Sequence, residues 1–363
     1  MIGDESDMVE KAARRARGAA SNRSGRFEPN QRVRVDDGWD LPEDLPVLKT
    51  EVALERARTI ITRNRSPDIP FDRSINPYRG CEHGCVYCFA RPTHAYLGLS
   101  PGLDFETRLT AKPDAAALLA RELSRKGYRC APIAMGTNTD PYQPIEKRLE
   151  ITRAVLSVLR DFRHPVTLLT KGALIGRDAD ILGEMAADGL AAAGLSLTTL
   201  DPRLARAMEP RAAAPERRLL AMTRLAAAGV PVWVSIGPVI PGLNDHEIER
   251  LLAAARDAGA TGASYVVLRL PLEVGPLFHD WLAETCPDRA ARVMGLVRQL
   301  HGGRDYDPEW GKRMRGEGEI ARLIAQRFRL ARERLRLGRG PAKPRCDLFR
   351  VPGPRRPEQL SLF

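Results

Sequence analysis

The sequence has no apolar run that would suit a membrane-spanning helix. Its longest stretch without a charged side chain, Leu225 to Asn244, is interrupted by three prolines, which break helices. The first twelve residues carry four acidic side chains and no apolar core, unlike a signal peptide. We therefore expect a cytoplasmic protein that does not span a membrane.

Lysine is scarce, because only 8 of the 57 basic residues are Lys and the other 49 are Arg. Most of the net charge of +11 lies near the C-terminus, where residues 298–358 hold 17 basic and 8 acidic side chains. The planar guanidinium group suits phosphates, so this region is a candidate surface for DNA or another nucleic acid. An arginine-rich helix facing solvent would give the same charge, and composition leaves both interpretations open.

Cysteine is also sparse, with six in 363 residues, which excludes the disulfide framework typical of small secreted domains. Three of the six fall within eight residues, at Cys81, Cys85 and Cys88, while the other three are scattered. The sequence therefore directs the search for chemistry to this cluster.

The length of 363 residues predicts two domains or one large α/β domain with additions, at about 150 residues per domain. Residues 1–70 show little helical or strand periodicity, and we expect them to be a partly disordered N-terminal extension. Residues 71–275 form the predicted α/β domain, and residues 276–345 a basic helical region. Residues 346–363 form the predicted flexible tail.

Within the α/β domain, short β-branched runs alternate with Ala/Leu/Arg-rich helical patterns. The predicted strands are 74–78, 131–136, 166–170, 190–197, 232–236 and 263–268. The predicted helices are 112–126, 145–160, 178–188, 215–228 and 245–257, followed by 288–301 and 317–337. This alternation predicts parallel strands in an open sheet or in a full or partial barrel. In each case ligands bind at the carboxyl ends of the strands.

The cysteine cluster admits three interpretations. Spacings of four and three would place the thiols on one face of a buried helix, but Gly80 and Gly84 disfavour a helix there. A structural zinc ion needs four ligands, so His83 or Cys130 would have to join the three cysteines; the protein would then be a nucleic-acid-binding module. An iron-sulfur cluster on three thiolates instead leaves one iron open to a reacting molecule.

The pattern Cys81-x-x-x-Cys85-x-Tyr87-Cys88, directly after the first predicted strand, resembles the signature of radical S-adenosylmethionine (radical SAM) enzymes. Over residues 71–275 the chain most resembles their spore photoproduct lyase-like branch. The resemblance implies a partial (βα)6 barrel with a 4Fe-4S cluster on the three cysteines. It also implies reductive cleavage of S-adenosylmethionine to methionine and a 5'-deoxyadenosyl radical, with electrons from a reductase or a flavodoxin- or ferredoxin-type donor.

The same resemblance implies a set of residues that bind S-adenosylmethionine. Tyr87 would lie near the adenine, Thr139, Asp140 and Lys171 would hold the amino-acid end, and Ser196 would contact the ribose. Charge agrees with these roles, because Lys171 suits a carboxylate and Asp140 an ammonium group.

Two further features bear on the site. In Met-Glu209-Pro-Arg211 the two charged residues would either form an ion pair near the site or brace a loop, and the turn Pro238 to Asp245 would flank the adenine by resemblance. One departure from the lyase pattern concerns its hydrogen-donating cysteine, since Thr137 occupies that position and Cys130 belongs to the opposite end of the strand. Repair of thymine dimers by that chemistry is therefore not expected.

The C-terminal sequence Gln359-Leu360-Ser-Leu362-Phe363 resembles the short peptide with which bacterial repair proteins bind the DNA sliding clamp. It follows a Pro/Arg spacer, which favours an exposed peptide over a tail that folds back.

Taken together, the sequence predicts a radical SAM enzyme that acts on DNA or another nucleic acid in a repair-like reaction. A protein or small-molecule substrate is the alternative within the same chemistry.

Overall fold

A computed structural model describes residues 8–29 and 47–353. The strands are β1 (Glu51–Leu54), β2 (Ile61–Arg63), β3 (Arg73–Ile75), β4 (Tyr78–Arg79), β5 (Arg108–Ala111), β6 (Ile133–Met135), β7 (Val166–Thr170), β8 (Ala191–Ser196), β9 (Val232–Val239), β10 (Gly262–Val267) and β11 (Gly338–Arg339). The α-helices are α1 (Asp104–Thr107), α2 (Ala115–Leu123), α3 (Glu146–Leu149), α4 (Ile151–Asp161), α5 (Ala179–Ala187), α6 (Pro202–Met208), α7 (Pro215–Ala227), α8 (Ile248–Asp257), α9 (Val274–Thr285), α10 (Pro287–Leu300) and α11 (Gly318–Arg334). Short 3₁₀ helices span Arg91–Leu97, Ala173–Asp178 and Asp245–Glu247.

The main sheet has eight strands in the order β11-β10-β9-β8-β7-β6-β3-β2. All neighbours are parallel except β2 and β3, which are antiparallel. From β3 through β10 the spatial order follows the chain order, so right-handed crossovers place the connecting helices on one face of the sheet. This is the winding of a barrel, and the predicted α/β fold with six parallel strands is confirmed.

Periodic apolar residues explain how the helices cover the sheet. Helix α4 buries Ile151, Val155, Leu156 and Leu159 on one face, the spacing that a helix packed on a sheet requires. Each fully buried aliphatic side chain of this kind contributes roughly 1.5–3 kcal/mol. The five predicted helices of the α/β domain correspond to α2, α4, α5, α7 and α8.

Two short strands occur in the part of residues 1–70 that the structure describes. Strand β1 pairs with β5 in a small sheet of order β1-β5-β4, and β2 lies at one edge of the main sheet. Both strands are short and mostly exposed, so their sequences lack the apolar alternation that predicts a strand. The domain boundaries themselves stay a prediction.

The C-terminal segment 338–353 runs across the amino ends of the parallel strands. After β11, the amide of Arg345 donates to the carbonyl of Gly189 at 2.8 Å, just before β8, and the amide of Arg350 donates to Phe162 at 3.0 Å, before β7. Phe349 then packs against Tyr128, with ring centroids 5.4 Å apart. The first residues of the predicted flexible tail, 346–353, therefore lie against the barrel, whereas the clamp-like peptide lies outside the described residues.

Within residues 8–29 and 47–353, no helix combines the length and apolar character needed to cross a lipid bilayer.

Candidate active site

The three clustered cysteines lie on an irregular loop after β4, at the carboxyl end of the parallel strands. The loop contains turns but no α-helix between residues 81 and 90, so the buried-helix interpretation is wrong. Cys81 and Cys85 are buried and Cys88 is partly exposed. The amide of Cys81 donates to the carbonyl of Phe105 at 2.9 Å, which fixes the start of the loop.

The loop can adopt this path only with glycine at position 84. Gly84 has φ of +66°, and a Cβ there would lie 2.5 Å from Oε2 of Glu106. Both the left-handed backbone and the lack of space exclude larger residues. Gly84, one of the two glycines that disfavoured a helix in the sequence, therefore allows the loop to pass close to the buried Glu106 carboxylate.

A fully buried arginine that the sequence analysis did not single out supports the cysteine loop. The Arg91 guanidinium donates to the carbonyls of Gly84 at 3.2 Å, Cys85 at 2.9 Å and Pro101 at 3.0 Å. It also pairs with Glu106 at 2.6 Å, and neither side chain is exposed. Because a buried charge without its partner is strongly unfavourable, this pair fixes the loop. The only sequence signal for it is that Arg91 lies three residues after Cys88.

The same carboxylate ties the N-terminal segment to the cysteine loop. Glu106 accepts hydrogen bonds from the amides of Gly18 at 2.8 Å and Ala19 at 2.9 Å, and Arg17 donates to its carbonyl at 2.9 Å. A Cβ at Gly18 would come within 1.8 Å of the Gly84 carbonyl oxygen. Arg17, Gly18 and Ala19 therefore form part of the wall behind the cysteine loop.

Burial dominates the electrostatics of the two inner thiols. It raises the pKa of Cys85 to about 12; Lys171 opposes the rise, and Glu209 adds to it. The pKa of Cys81 is raised well above its usual value by burial, and then by Asp140 and the neighbouring thiols. Metal ligation requires thiolates, so a bound metal centre would have to replace these protons.

Asp140 follows the carboxyl end of β6 and connects the loop after β6, the end of β7 and the cysteine loop. It accepts hydrogen bonds from the Thr170 hydroxyl at 2.5 Å and from the amides of Lys171 at 2.7 Å and Tyr142 at 2.8 Å. Nδ1 of His83, on the cysteine loop, lies 3.3 Å from it. Burial alone would raise the pKa of Asp140, but His83 and the other donors hold it at about 2. The carboxylate is therefore charged and fixed in orientation.

Lys171 connects three of the predicted cofactor residues. Its ammonium group donates to the Ser196 hydroxyl at 3.2 Å and lies 5.6 Å from the centroid of the Tyr87 ring. Burial lowers the pKa of Lys171, but Cys85 and Glu209 outweigh it, so the net shift is upward. A fixed cation thus faces the cysteine loop from the end of β7.

Thr139 is placed differently from the other predicted cofactor residues. Its hydroxyl donates to the carbonyl of Tyr78 at 3.1 Å, and its amide lies 3.4 Å from Oδ1 of Asn76. Asn76 also accepts from the amide of Asn138 at 3.1 Å and contacts the Thr137 hydroxyl at 3.4 Å. Thr139 therefore braces the loop after β6, and its role in cofactor binding stays a prediction.

A buried network around Glu209 corrects one expectation. Glu209 forms its ion pair with Arg218, at the start of α7, and not with Arg211. It also accepts hydrogen bonds from the hydroxyls of Tyr87 and, at 2.7 Å, Thr198. Burial raises the pKa of Glu209, but Arg218 and Lys171 hold it at about 2. Arg218 lies nine residues along the chain, beyond a sharp turn that the sequence pattern did not reveal.

Arg211 instead contacts Glu82, on the cysteine loop, at 3.1 Å. Glu82 also accepts a hydrogen bond from Thr50 at 2.7 Å, so the segment before β1 is included in the same network.

The turn after β9 is held by Asn244, which donates to the carbonyls of Thr198 at 2.9 Å and Pro238 at 3.0 Å. This turn therefore lies at the same end of the sheet, and its contact with adenine stays a prediction.

Both candidate fourth ligands for zinc have other neighbours. His83 faces Asp140, and Cys130 precedes β6 at the amino end, where burial and then Cys346 raise its pKa to about 12. Among the residues that the structure describes, no three His, Cys, Asp or Glu side chains are arranged to hold one metal ion. A 4Fe-4S cluster does not need three ligands around one metal ion, because each of its thiolates binds a different iron.

Comparison with known proteins identifies this arrangement. The family model of the radical SAM superfamily matches residues 75–255, the range that holds the cysteine loop and strands β6 to β9. The chain belongs to the radical SAM superfamily. A relative from Mycobacterium tuberculosis, described as an uncharacterized protein, is 37% identical over 286 residues, which cover 78% of this chain and 81% of the relative. An uncharacterized protein of Methanocaldococcus jannaschii is 29% identical over 199 residues, covering 55% of this chain and 71% of that protein.

Among solved structures, spore photoproduct lyase complexed with dinucleoside spore photoproduct has a TM-score of 0.51 and 15% identity, covering 78% of this chain and 79% of the lyase. A variant of that lyase with bound S-adenosylmethionine and the same dinucleoside has a TM-score of 0.50 and 14% identity, with the same coverage. At this identity the likeness establishes a shared fold.

Membership in this superfamily implies an enzyme that uses a 4Fe-4S cluster and S-adenosylmethionine. The donor set fits these cofactors, because three thiols on one loop face a fixed cation and a fixed carboxylate. Cys81, Cys85 and Cys88 would hold the cluster, while Lys171 and Asp140 lie at the strand ends that face it.

Proposed function

We propose that this radical SAM enzyme acts on DNA or another nucleic acid in a repair-like reaction. The single observation that carries the radical chemistry is the convergence of the cysteine loop with Lys171 and Asp140 at one end of the barrel. When bound, the reduced cluster supplies the electron that cleaves the sulfonium of S-adenosylmethionine.

The residues of this chain would position the cofactor and exclude water. Lys171 would bind the carboxylate of S-adenosylmethionine, and Ser196, which already contacts the lysine, would bind the ribose. Tyr87 would pack near the adenine, with its hydroxyl fixed by the buried Glu209. The charged Asp140 would orient the ammonium group while holding the loops after β6 and β7 together.

The radical chemistry is tested by anaerobic reconstitution. We expect about four irons per chain for a 4Fe-4S cluster, and dithionite with S-adenosylmethionine should yield 5'-deoxyadenosine. Cys85→Ser should abolish both, whereas the matched control Cys130→Ser, at the amino end, should retain them. Zinc without iron in anaerobically purified protein would overturn the proposal.

Two observations support a nucleic-acid substrate. The region 298–358 carries a large excess of arginine, and phosphate binding by such a surface is weakened by salt through counterion release. The solved lyase with the same fold is complexed with a dinucleoside. A labelled oligonucleotide should bind the reconstituted protein more tightly at 50 mM than at about 200 mM salt. Binding that is unaffected by salt would favour a protein or small-molecule substrate.

The reaction would differ from that of the lyase in its hydrogen donor. Thr137 occupies the donor position, its hydroxyl contacts Asn76 at 3.4 Å, and Cys130 lies at the opposite end of the strand. A hydroxyl does not give up a hydrogen atom as readily as a thiol, so we propose a nucleic-acid substrate other than the thymine dimer.

The C-terminal peptide would recruit the enzyme to the sliding clamp. Segment 338–353 crosses the amino ends of the strands, so residues 354–363 follow a segment that lies opposite the cysteine loop. A clamp bound there would leave the active end accessible. Deleting Gln359 to Phe363 should remove clamp binding and leave 5'-deoxyadenosine formation intact; clamp pull-down that survives the deletion would rule out this role.

A further inference from the structure

The loop that joins α10 to α11 lies beside the cysteine loop, at the carboxyl end of β10. The amide of Val267, the last residue of β10, donates to the carbonyl of Met314 at 3.1 Å. Arg269 donates to the Met314 sulfur at 3.1 Å and stacks on Phe89, with its guanidinium carbon 4.4 Å from the ring centroid. Since Phe89 directly follows Cys88, residues 304–315, called here the platform loop, form a wall next to the cluster site.

The platform loop is held in place by an acidic side chain from another part of the chain. Asp68, which follows β2, accepts hydrogen bonds from the amide of Gly311 at 2.8 Å and from Nε of Arg313 at 2.6 Å. Arg313 also donates to the hydroxyl of Ser66 at 2.6 Å. The loop is therefore preorganised, and a ligand that binds it does not have to order it first.

Two aromatic rings on this wall are exposed although large aromatic side chains are usually buried. Trp310 is 53% exposed, and Phe89 is 44% exposed. Each ring is backed by a guanidinium group, because Arg313 lies 4.7 Å from the Trp310 centroid and Arg269 lies 4.4 Å from that of Phe89. A ring that stacks on arginine on one side and faces solvent on the other is suited to stack a planar group.

The charges of the platform loop favour an anionic partner. Arg304 and Arg315 are exposed, and neither forms an ion pair with the residues that the structure describes, although the Arg315 guanidinium stacks on Tyr265, 4.1 Å from the ring centroid. Two acidic side chains of the loop are engaged by cations, since Asp305 contacts Arg298 at 2.8 Å and Glu309 contacts Lys312 at 2.8 Å, while Asp307 accepts a hydrogen bond from the amide of Glu309 at 2.9 Å. Two cations without a carboxylate partner among the described residues therefore lie at the two ends of the loop that carries Trp310.

We propose that the platform loop binds a single-stranded nucleic acid, with an unpaired base stacked on Trp310 and the adjoining phosphates on Arg304 and Arg315. This inference rests on the proposed nucleic-acid substrate and adds where it binds. A single strand fits better than a duplex, because paired bases are stacked on one another and expose no free face. The arrangement would hold a strand beside Phe89, next to the cysteine loop.

Fluorescence anisotropy with a labelled single-stranded oligonucleotide and the anaerobically reconstituted full chain tests this proposal. Trp310→Ala should weaken binding about tenfold, as expected for one stacked base, whereas Trp310→Phe should retain most of the affinity. The matched control Leu330→Ala removes a side chain that is 51% exposed on α11 and should change nothing. Binding of the same sequence as a blunt duplex should not depend on Trp310.

The possible outcomes separate the inference from the function on which it rests. Equal iron content and thermal unfolding in the Trp310 variants establish that they fold. If the unmodified chain binds the strand and Trp310→Ala binds equally well, the platform loop is not the binding site, although the nucleic-acid substrate stands. If the unmodified chain shows no salt-dependent binding, both proposals fail. Affinity for an acidic peptide in place of the oligonucleotide would likewise overturn the assignment.

Discussion

The two ends of the parallel sheet are built from the same strands but have opposite characters. At the carboxyl end, charged side chains are buried in pairs, such as Arg91 with Glu106 and Arg218 with Glu209. At the amino end, the C-terminal segment covers the strands with backbone hydrogen bonds and with the packing of Phe349 on His164 and Tyr128. Ion pairs with both side chains buried, such as those of Arg91 and Arg218, therefore lie at the end where a cofactor would bind, whereas the buried Arg73 at the amino end pairs with the largely exposed Asp72.

The cysteines follow the same division. Cys85 lies among Lys171, Glu209 and the other loop thiols, whereas Cys130 has Cys346 as its neighbour. Burial raises the pKa of each thiol to about 12, so thiol acidity alone does not distinguish the two ends. The surrounding charges and the three-cysteine spacing distinguish them.

The largest expected effect comes from breaking the buried pair under the cysteine loop. Glu106→Gln leaves the Arg91 charge buried without its partner and should destabilise the protein by about 3–5 kcal/mol, with loss of bound iron. At the amino end, Asp188→Asn removes the exposed pair with Arg163, 3.0 Å apart, and should cost less than about 1 kcal/mol. Urea unfolding and iron analysis compare the two variants. Equal losses of stability and of bound iron would contradict the proposed difference between the two ends of the sheet.

Acid should act on the buried His164 and on the carboxylates of the candidate site in different pH ranges. Burial lowers the pKa of His164 to about 4 from a usual value of 6.5. As pH falls from 6.5 to 4 the unfolded chain takes up a proton that the folded chain does not, so stability decreases by up to about 3 kcal/mol. The carboxylates Asp140 and Glu209, with pKa values near 2, stabilise the fold above their unfolded values near 4 and lose that contribution only as pH falls toward 2.

The variant His164→Gln isolates the amino-end contribution. Its unfolding free energy, measured between pH 7 and 5, should fall less steeply than that of the unmodified protein. His94, whose pKa burial also lowers to about 4, would account for part of the remaining slope. An unchanged slope in His164→Gln would show that this histidine is not buried in its neutral form.

A smaller effect is expected at the cofactor site. Lys171→Met removes one charge-assisted contact with the carboxylate of S-adenosylmethionine and should weaken its binding by about tenfold to a hundredfold. The exposed Lys147 provides a control, since Lys147→Met should leave the affinity unchanged. Calorimetry on the reconstituted protein measures both, and full affinity in Lys171→Met would assign the carboxylate to another residue.

Local patterns were enough to predict the six parallel strands and the helices that cover them, because each carries its own apolar periodicity. Strands β1, β2, β4, β5 and β11 were not predicted, since they are short and owe their pairing to the rest of the chain. Helices α6 and α9 were missed for a related reason, because they lie in loops at the carboxyl end where the periodic pattern stops.

The residues of the candidate site also fall into two groups, those predicted from the sequence and those that only the structure revealed. The spacing of Cys81, Cys85 and Cys88 identified the loop, and the resemblance to radical SAM enzymes, with which the charges agree, led to Lys171 and Asp140. The sequence did not identify Arg91 as the support of the loop, and it paired Glu209 with Arg211 because these residues are close in the chain. In the structure Arg218 reaches Glu209 instead.

The sequence alone determined the order of the six parallel strands from β3 to β10, the helices that cover them and the residues that define the cysteine loop, because these depend on spacing along the chain. Only the tertiary structure decided which buried charges pair, and it also brought the N-terminal segment against the loop through Glu106. The physical reason is that a buried charge takes whichever partner the packed elements bring within a few ångströms, and that proximity is absent from the linear sequence.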